Sequence, residues 1–265
     1  MSLPHALILG ILQGLTEFIP VSSSGHLVLA ERFLELEIAN SKFFDVVLHL
    51  GTSLAIITYF WKDWAGILRS FLDFLGLSSR KAKRDFAEAR LGYYMAIGTI
   101  PAAIIGLMAN DYIDQVFRST FSVGVMMIIV GTVFLFAEKF KGKEKLTTKR
   151  SLVIGVAQAL ALIPGISRSG LTISAGMLQK MSREEAAKFS FMLGLPAILG
   201  AGILSFIKTT EFPDWKLAVT GFLASALVSF LAIKYMLRFL RKHSLRVFAY
   251  YLFVLGAIVL TLAIT

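Results

Sequence analysis

The chain has 265 residues, of which 56% are hydrophobic and 17% are charged, and its formal net charge is +10. This composition excludes an ordinary soluble domain and is typical of an integral membrane protein. A strong positive charge also occurs in nucleic-acid-binding proteins, but here the basic residues gather in short segments between apolar stretches, as the positive-inside rule expects. We therefore expect the lipid bilayer as a partner and no nucleic acid. Cysteine is absent, which excludes disulfides and thiolate chemistry.

The first distinctive stretch is residues 10–27, GILQGLTEFIPVSSSGHL. Gln13 and Glu17 stand four positions apart, so on a helix they share one face. Pro20 cannot donate a backbone hydrogen bond and disfavours helix before it, so the helix should end near Ile19. A run of three serines then occupies the positions where helix caps are found, namely Ser22, Ser23 and Ser24.

Residues 155–172, GVAQALALIPGISRSGLT, repeat this design with substitutions. The matched residues are Gly10 and Gly155, Gln13 and Gln158, Pro20 and Pro164, Ser22 and Ser167, Ser24 and Ser169, and Gly25 and Gly170. Two hydrophobic segments interrupted by proline and glycine in corresponding halves point to a binding site near the membrane midplane of an inverted-repeat protein.

Six further apolar stretches approach the roughly 20 residues that a helix needs to cross the hydrocarbon core. They are residues 43–61, which carry Asp45 and His49, and residues 91–109, 119–137, 189–207, 217–233 and 247–265. The arms around each proline break are too short to span comfortably, which favours re-entrant hairpins. We therefore predict an all-α integral membrane protein with two inverted-topology repeats, six transmembrane helices and two re-entrant helical hairpins.

The predicted organisation is a single membrane domain, with repeat one at 1–137, a basic cytoplasmic loop at 138–150 and repeat two at 151–265. The first hairpin has arms at 3–19 and 26–38, and the second occupies 151–181. Residues 62–76 are predicted to form an amphipathic interfacial helix. Other inner loops are expected at 78–90 and 234–246, and outer segments at 31–42, 110–118 and 209–215. The N-terminus lacks a basic region, so we expect no cleaved signal peptide.

Inverted repeats would bring the two proline breaks together near the bilayer centre. The helices that begin after Ser24 and after Ser169 would then point their N-termini at each other. A helix N-terminus offers unpaired N–H groups and about half a positive charge. Together with Arg168, whose charge is costly inside a membrane and whose guanidinium suits phosphate oxygens, they predict an anion-binding cavity.

Glu17 beside such a cavity has three interpretations. It is a carboxylate that shares Mg²⁺ or Ca²⁺ with a phosphate group, a general base, or the ion-pair partner of Arg168. The serines supply candidate nucleophiles, which an adjacent base such as His26 would activate. For His49, packing and a supporting role in the site stay equally open.

Two segments carry a resemblance to a known family. Residues 13–26, QGLTEFIPVSSSGH, resemble the first motif of the bacterial undecaprenyl-pyrophosphate phosphatases of the bacitracin-resistance type. Residues 164–172, PGISRSGLT, resemble the second motif of that family. The likeness covers essentially the whole chain, and the two motifs at this spacing are highly specific.

The resemblance implies an inner-membrane enzyme that removes the terminal phosphate of undecaprenyl diphosphate, depends on a divalent cation and opens to the outer side. It implies that Glu17 is a catalytic acid or metal ligand, Ser23 the nucleophile and His26 its acid–base partner. The diphosphate would bind to Arg168 and to a further set of residues, namely Gln13, Ser22, Ser24, Ser167, Ser169, Gly170 and Thr172. Since the first motif position is Gln13 rather than glutamate, a second carboxylate is missing and more weight falls on Glu17.

The sequence leaves two alternatives open, one to the phosphatase function and one to attack by Ser23. Inverted repeats with broken helices are also typical of transporters, so the chain could move a phosphorylated lipid or another anion. In the second alternative, a metal-activated water attacks and Ser23 only binds. We also keep a homodimer as a candidate assembly.

Overall fold

The computed structural model describes residues 1–34, 38–77, 86–117, 119–208 and 214–264. Within these ranges the protein is all-helical and contains no strand, as predicted. The helices are α1 (Leu3–Phe18), α2 (Ser23–Phe33), α3 (Ile38–Tyr59), α4 (Trp61–Phe74), α5 (Phe86–Phe117), α6 (Thr120–Ala137), α7 (Thr148–Leu160), α8 (Arg168–Leu178), α9 (Arg183–Lys208), α10 (Trp215–Leu240) and α11 (Arg246–Ile264).

Five helices are long and apolar enough to cross a membrane, namely α5, α6, α9, α10 and α11. In their most apolar windows only 17 to 44% of the residues are buried inside the protein, so most of this apolar surface faces outward. α3 qualifies as a sixth span only together with α4, from which it is bent by 81°. The chain is therefore a multi-pass membrane protein with five or six spans.

Each of the six predicted spans corresponds to one helix, but several helices run into predicted loops. α5 continues through most of the predicted outer turn at 110–118, and α10 continues into the predicted inner loop at 234–246. Neither segment contains proline or glycine, so polar residues alone do not end the helix there. α3 likewise begins inside the predicted outer segment at 31–42. The predicted segments at 78–90 and 209–215 lie mostly outside the described residues.

Both broken-helix segments begin their second arm in the same way. α1 ends at Phe18 and Ile19 is extended, as Pro20 predicted. α2 and α8 begin at Ser23 and Arg168, each two residues earlier than predicted. The reason is that the preceding serine caps each helix: Ser22 Oγ accepts from the Gly25 N–H at 3.3 Å, and Ser167 Oγ accepts from the Gly170 N–H at 3.1 Å.

The first arm of each broken segment packs against a long helix of the other half, α1 against α10 and α7 against α5. Matched glycines allow both contacts. A Cβ atom on Gly10 would lie 2.6 Å from the carbonyl oxygen of Gly221, and one on Gly155 would overlap the carbonyl oxygen of Gly98. α6 and α11, the last helices of the two halves, pack along each other.

A buried carboxylate, Glu138, joins three helix ends. Glu138, just after α6, accepts a hydrogen bond from Arg183 Nε at 2.9 Å and another from Arg183 Nη2. The same carboxylate accepts from the Leu245 N–H at 2.8 Å. Because Arg183 begins α9 and Leu245 precedes α11, Glu138 holds the ends of α6, α9 and α11 together.

We expect Glu138→Gln to destabilise the protein by about 3 kcal/mol, because it leaves the Arg183 charge without its buried partner. Glu144→Gln is the control, since Glu144 is exposed and pairs with Arg150 at 3.0 Å, and such a pair contributes at most about 1 kcal/mol. Thermal unfolding in detergent measures both changes. Equal unfolding temperatures for the two variants would contradict the role assigned to Glu138.

Candidate active site

The two broken-helix segments meet in an ion pair. Glu17, near the end of α1, is only 6% exposed, and Arg168 is the first residue of α8. Arg168 Nη2 donates to Glu17 Oε1 at 2.6 Å. The predicted convergence of these two residues is therefore present, in the form of a direct contact between the two halves of the chain.

The second oxygen of the Glu17 carboxylate gathers the polar groups of the first half. Glu17 Oε2 accepts from Ser23 Oγ at 2.6 Å and from Gln13 Nε2 at 3.0 Å. His49 Nε2 lies 3.7 Å from the same oxygen, while His49 Nδ1 donates to the carbonyl oxygen of Asp45 at 2.7 Å. His49 therefore lies at the site, and Glu17 is the carboxylate in contact with the Ser23 hydroxyl.

Arg168 is held by α9, which the sequence did not connect with it. Arg168 Nη1 donates to the carbonyl oxygen of Ser190 at 3.1 Å. Gly194, one turn further along α9, lies against the guanidinium, and a Cβ atom there would overlap it. Sequence reasoning missed both residues, because a serine carbonyl and a helix glycine carry no recognisable signal of an arginine site.

The remaining polar residues of the second motif support the start of α8. Thr172 Oγ1 donates to the carbonyl oxygen of Arg168 at 2.7 Å and lies 2.6 Å from Ser190 Oγ. Ser167 Oγ and Ser169 Oγ are 3.4 Å apart, as are Ser22 Oγ and Ser24 Oγ in the first motif. Ser22, Ser167 and Thr172 bond to the backbone where the second arms begin, and contact of these serines and Thr172 with substrate stays a prediction.

His26 lies beside the site but does not contact Ser23. Its Nδ1 donates to the carbonyl oxygen of Ser22 at 2.8 Å, and its Nε2 is 2.7 Å from Tyr251 Oη. Ser22 has φ 72°, a left-handed conformation that costs a residue with a side chain about 1 kcal/mol or more. A direct exchange of a proton between Ser23 and His26 requires contact between their side chains. The structure describes both side chains and shows no such contact, and the Ser23 hydroxyl bonds to Glu17 instead.

The second half of the chain repeats the first motif but lacks a carboxylate corresponding to Glu17. Gln158, the counterpart of Gln13, is buried, and neither polar atom of its amide has a hydrogen-bond partner among the described residues. The residue four positions later is Leu162, whereas in the first half it is Glu17. The two halves therefore share a framework but not a carboxylate.

The oxygen atoms around Glu17 suit a divalent cation whose remaining ligands come from the substrate. Among the described residues, no three His, Cys, Asp or Glu side chains form a metal-binding group. The neighbouring oxygens are Glu17 Oε2, which already accepts from Ser23 and Gln13, and Gln13 Oε1, which is buried without a hydrogen-bond partner. Mg²⁺ is commonly held by one or two carboxylates together with substrate phosphates, so this set fits such an ion once a diphosphate is bound.

Comparison with known proteins shows the family of this chain. Residues 6–258 match the family described as bacitracin resistance protein BacA. The chain belongs to the BacA family. Its relatives include the undecaprenyl-diphosphatase of Rubrobacter xylanophilus, 42% identical over 99% of this chain and 98% of the relative. Those of Thermodesulfovibrio yellowstonii and Methanosphaera stadtmanae are 40% and 36% identical, over 97% and 98% of this chain and 96% and 97% of the relatives.

The pair of Glu17 and Arg168 predicts strong thermodynamic coupling. Glu17→Gln or Arg168→Gln alone should each cost about 3 kcal/mol, because each leaves a buried charge unpaired. The double variant should lose at least about 1 kcal/mol less than the sum of the two. Thermal unfolding in detergent gives these values.

The matched control for this cycle is Glu184→Gln with Arg241→Gln, an exposed pair with Arg241 Nε donating to Glu184 Oε1 at 2.7 Å. Its coupling should stay below about 1 kcal/mol. Additive effects at Glu17 and Arg168 would show that the ion pair does not hold the two halves together.

Proposed function

We propose that the protein hydrolyses undecaprenyl diphosphate to undecaprenyl phosphate and inorganic phosphate, and so recycles the lipid carrier of peptidoglycan synthesis. The relatives named undecaprenyl-diphosphatase match it over nearly their full length. The observation that carries the proposal is the direct contact of an arginine, a carboxylate and a serine hydroxyl inside a multi-pass membrane protein. This combination suits phosphoryl transfer from a lipid.

We further propose that the two halves form an inverted repeat whose broken segments are re-entrant hairpins. Three observations support this architecture. Ser22 and Ser167 cap their helices in the same way, the matched glycines Gly10 and Gly155 each approach a glycine carbonyl of the opposite half, and α6 packs against α11. Opposite orientations of the halves would bring both breaks to the same depth.

The expected location is the bacterial cytoplasmic membrane, with the basic segment 138–150 inside the cell. The site would then open toward the outer side, where the diphosphate head group enters and the prenyl chain stays in the lipid. A lipid substrate explains why charged residues lie inside the membrane domain at all, since their burial there is costly.

In this mechanism Arg168 binds and orients the diphosphate. Phosphoryl transfer mainly requires positioning and stabilisation of the charge on the transferred group. Arg168 presents donors next to the N-terminus of α8, and both attract phosphate oxygens. Since Nη1 donates to Ser190 and Gly194 lies against the guanidinium, α9 fixes the plane in which these donors meet the substrate.

Ser23 is then the nucleophile and Glu17 its base. Ser23 Oγ forms a bond to the terminal phosphorus while Glu17 Oε2 takes the hydroxyl proton over the existing 2.6 Å contact. The anhydride P–O bond breaks and undecaprenyl phosphate leaves. Water then attacks the phosphoserine, inorganic phosphate is released and Ser23 regains its proton. Beside the same carboxylate oxygen, His49 would stabilise the charge on Glu17 in its imidazolium form, in which Nε2 also carries a proton.

A divalent cation, Mg²⁺ or Ca²⁺, would be held by Glu17 and by the side-chain carbonyl of Gln13, with the remaining ligands from the substrate phosphates. When bound, it would neutralise part of the diphosphate charge. Gln13 also orients Glu17 through its 3.0 Å hydrogen bond, a role that does not depend on the ion.

Purified protein in detergent should release phosphate from undecaprenyl or farnesyl diphosphate, and a chelator should abolish the release. Glu17→Ala and Arg168→Ala should each lower kcat at least about 100-fold, because each removes a group that acts on the developing charge. Phosphate release measured over time gives both values.

Three outcomes would redirect this proposal. No release from the wild-type protein, combined with movement of the lipid across sealed vesicles, would favour a transporter. Near-normal turnover in Ser23→Ala would mean that water attacks directly and that Ser23 only binds. Unchanged release with chelator would remove the cation from the mechanism.

Gly194→Ala should lower phosphate release about 100-fold, because the new methyl group displaces the Arg168 guanidinium from its place. Gly200→Ala is the matched control on the same helix, since a Cβ atom there has no described atom within 4 Å. Steady-state kinetics compare the two variants. Equal activities would show that the position of Arg168 against α9 does not matter for turnover.

A further inference from the structure

Tyr251, in the last helix α11, reaches across to the first broken segment. Its hydroxyl oxygen lies 2.7 Å from His26 Nε2. The two rings are nearly parallel, with an interplanar angle of 8° and centroids 5.8 Å apart. Tyr251 is 45% exposed. No sequence motif connects this tyrosine with the site, because it lies 225 positions after His26.

The partners of His26 define its tautomer. A carbonyl oxygen only accepts, so the 2.8 Å contact of Nδ1 with the Ser22 carbonyl requires a proton on Nδ1. In the neutral ring Nε2 then carries the lone pair and accepts from the Tyr251 hydroxyl. Both nitrogens are thus engaged, one by the backbone of the first motif and one by α11.

The hydrogen bond from His26 to the Ser22 carbonyl connects His26 to Ser23 through the backbone. The Ser22 carbonyl that His26 holds belongs to the residue with φ 72°, a conformation that surrounding contacts must maintain. The next residue is Ser23, whose hydroxyl donates to Glu17 at 2.6 Å. A chain of contacts therefore runs from Tyr251 through His26 and Ser22 to the backbone that positions Ser23.

We propose that Tyr251 is a positioning residue for the hydrolysis reaction: its hydroxyl bonds to Nε2 of the tautomer that the Ser22 carbonyl requires and so fixes the ring plane of His26, and His26 in turn holds the left-handed Ser22 that places Ser23 against Glu17. This inference rests on the proposed function. In it, His26 acts on the backbone before Ser23 rather than on the hydroxyl of Ser23.

The test is Tyr251→Phe, which keeps the ring and removes the hydroxyl. The chain has four histidines, His5, His26, His49 and His243, so ¹⁵N-histidine labelling gives few signals, and a His26→Gln variant identifies those of His26. In the wild type the His26 signals should show protonated Nδ1 and a hydrogen-bonded, unprotonated Nε2. In Tyr251→Phe the Nε2 signal should move toward that of a free, unprotonated nitrogen, because Nε2 loses its hydrogen-bond donor.

Turnover supplies the second measurement. Tyr251→Phe should lower kcat about tenfold, which corresponds to about 1.4 kcal/mol for one lost hydrogen bond, with little change in KM. Tyr250→Phe is the matched control, because Tyr250 is the adjacent tyrosine and is 59% exposed. In a His26→Gln background, Tyr251→Phe should cause no further loss, since it acts only through His26.

Unchanged His26 signals in Tyr251→Phe would overturn the inference whatever the activity, and so would a kcat equal to that of Tyr250→Phe. An additional loss in the His26→Gln background would show that Tyr251 acts by another route. The spectroscopic result does not depend on turnover. A wild-type protein that releases no phosphate would therefore reject the proposed function while the His26 signals still decide whether Tyr251 fixes the ring.

Discussion

The contact on which this protein depends is the buried ion pair between Glu17 and Arg168. It joins two helices that are each interrupted near a proline, so the ends of α1 and α8 can bring side chains and free N–H groups to one place inside an apolar domain. An unbroken helix would offer no free N–H groups at that depth, because its backbone groups are already paired. The pair also gives each charge a partner where solvation is poor, which makes the site tolerable before any anion binds.

Much of this site could be predicted from local signals. Pro20 fixes the end of α1, the serines after each break indicate the helix starts to within two residues, and the repeated motif indicates that both breaks belong to one centre. The convergence of Glu17 with Arg168 followed from that repeat. The spans were predictable because a helix in lipid needs a long apolar stretch, although their ends were not, since nothing in the sequence interrupts α5 or α10 where polarity rises.

The parts that sequence reasoning missed are contacts between distant helices. Ser190 and Gly194 meet Arg168 because α9 passes beside α8, and Tyr251 meets His26 because α11 closes against the first half. A backbone carbonyl, a glycine and a tyrosine in an apolar helix have ordinary packing roles elsewhere, so only the assembled fold distinguishes them. The contacts of His26 were not predictable for a related reason: proximity in sequence to Ser23 does not reveal that its ring bonds to Ser22 and Tyr251.

The lone carboxylate breaks the equivalence of the two halves. Gln158 matches Gln13 in the sequence repeat, but the residue four positions later is Leu162 rather than a glutamate, so only the first half supplies a carboxylate. A diphosphate bound between the two matched segments would therefore have a carboxylate beside it on one side only. That asymmetry follows from a single difference between the two segments.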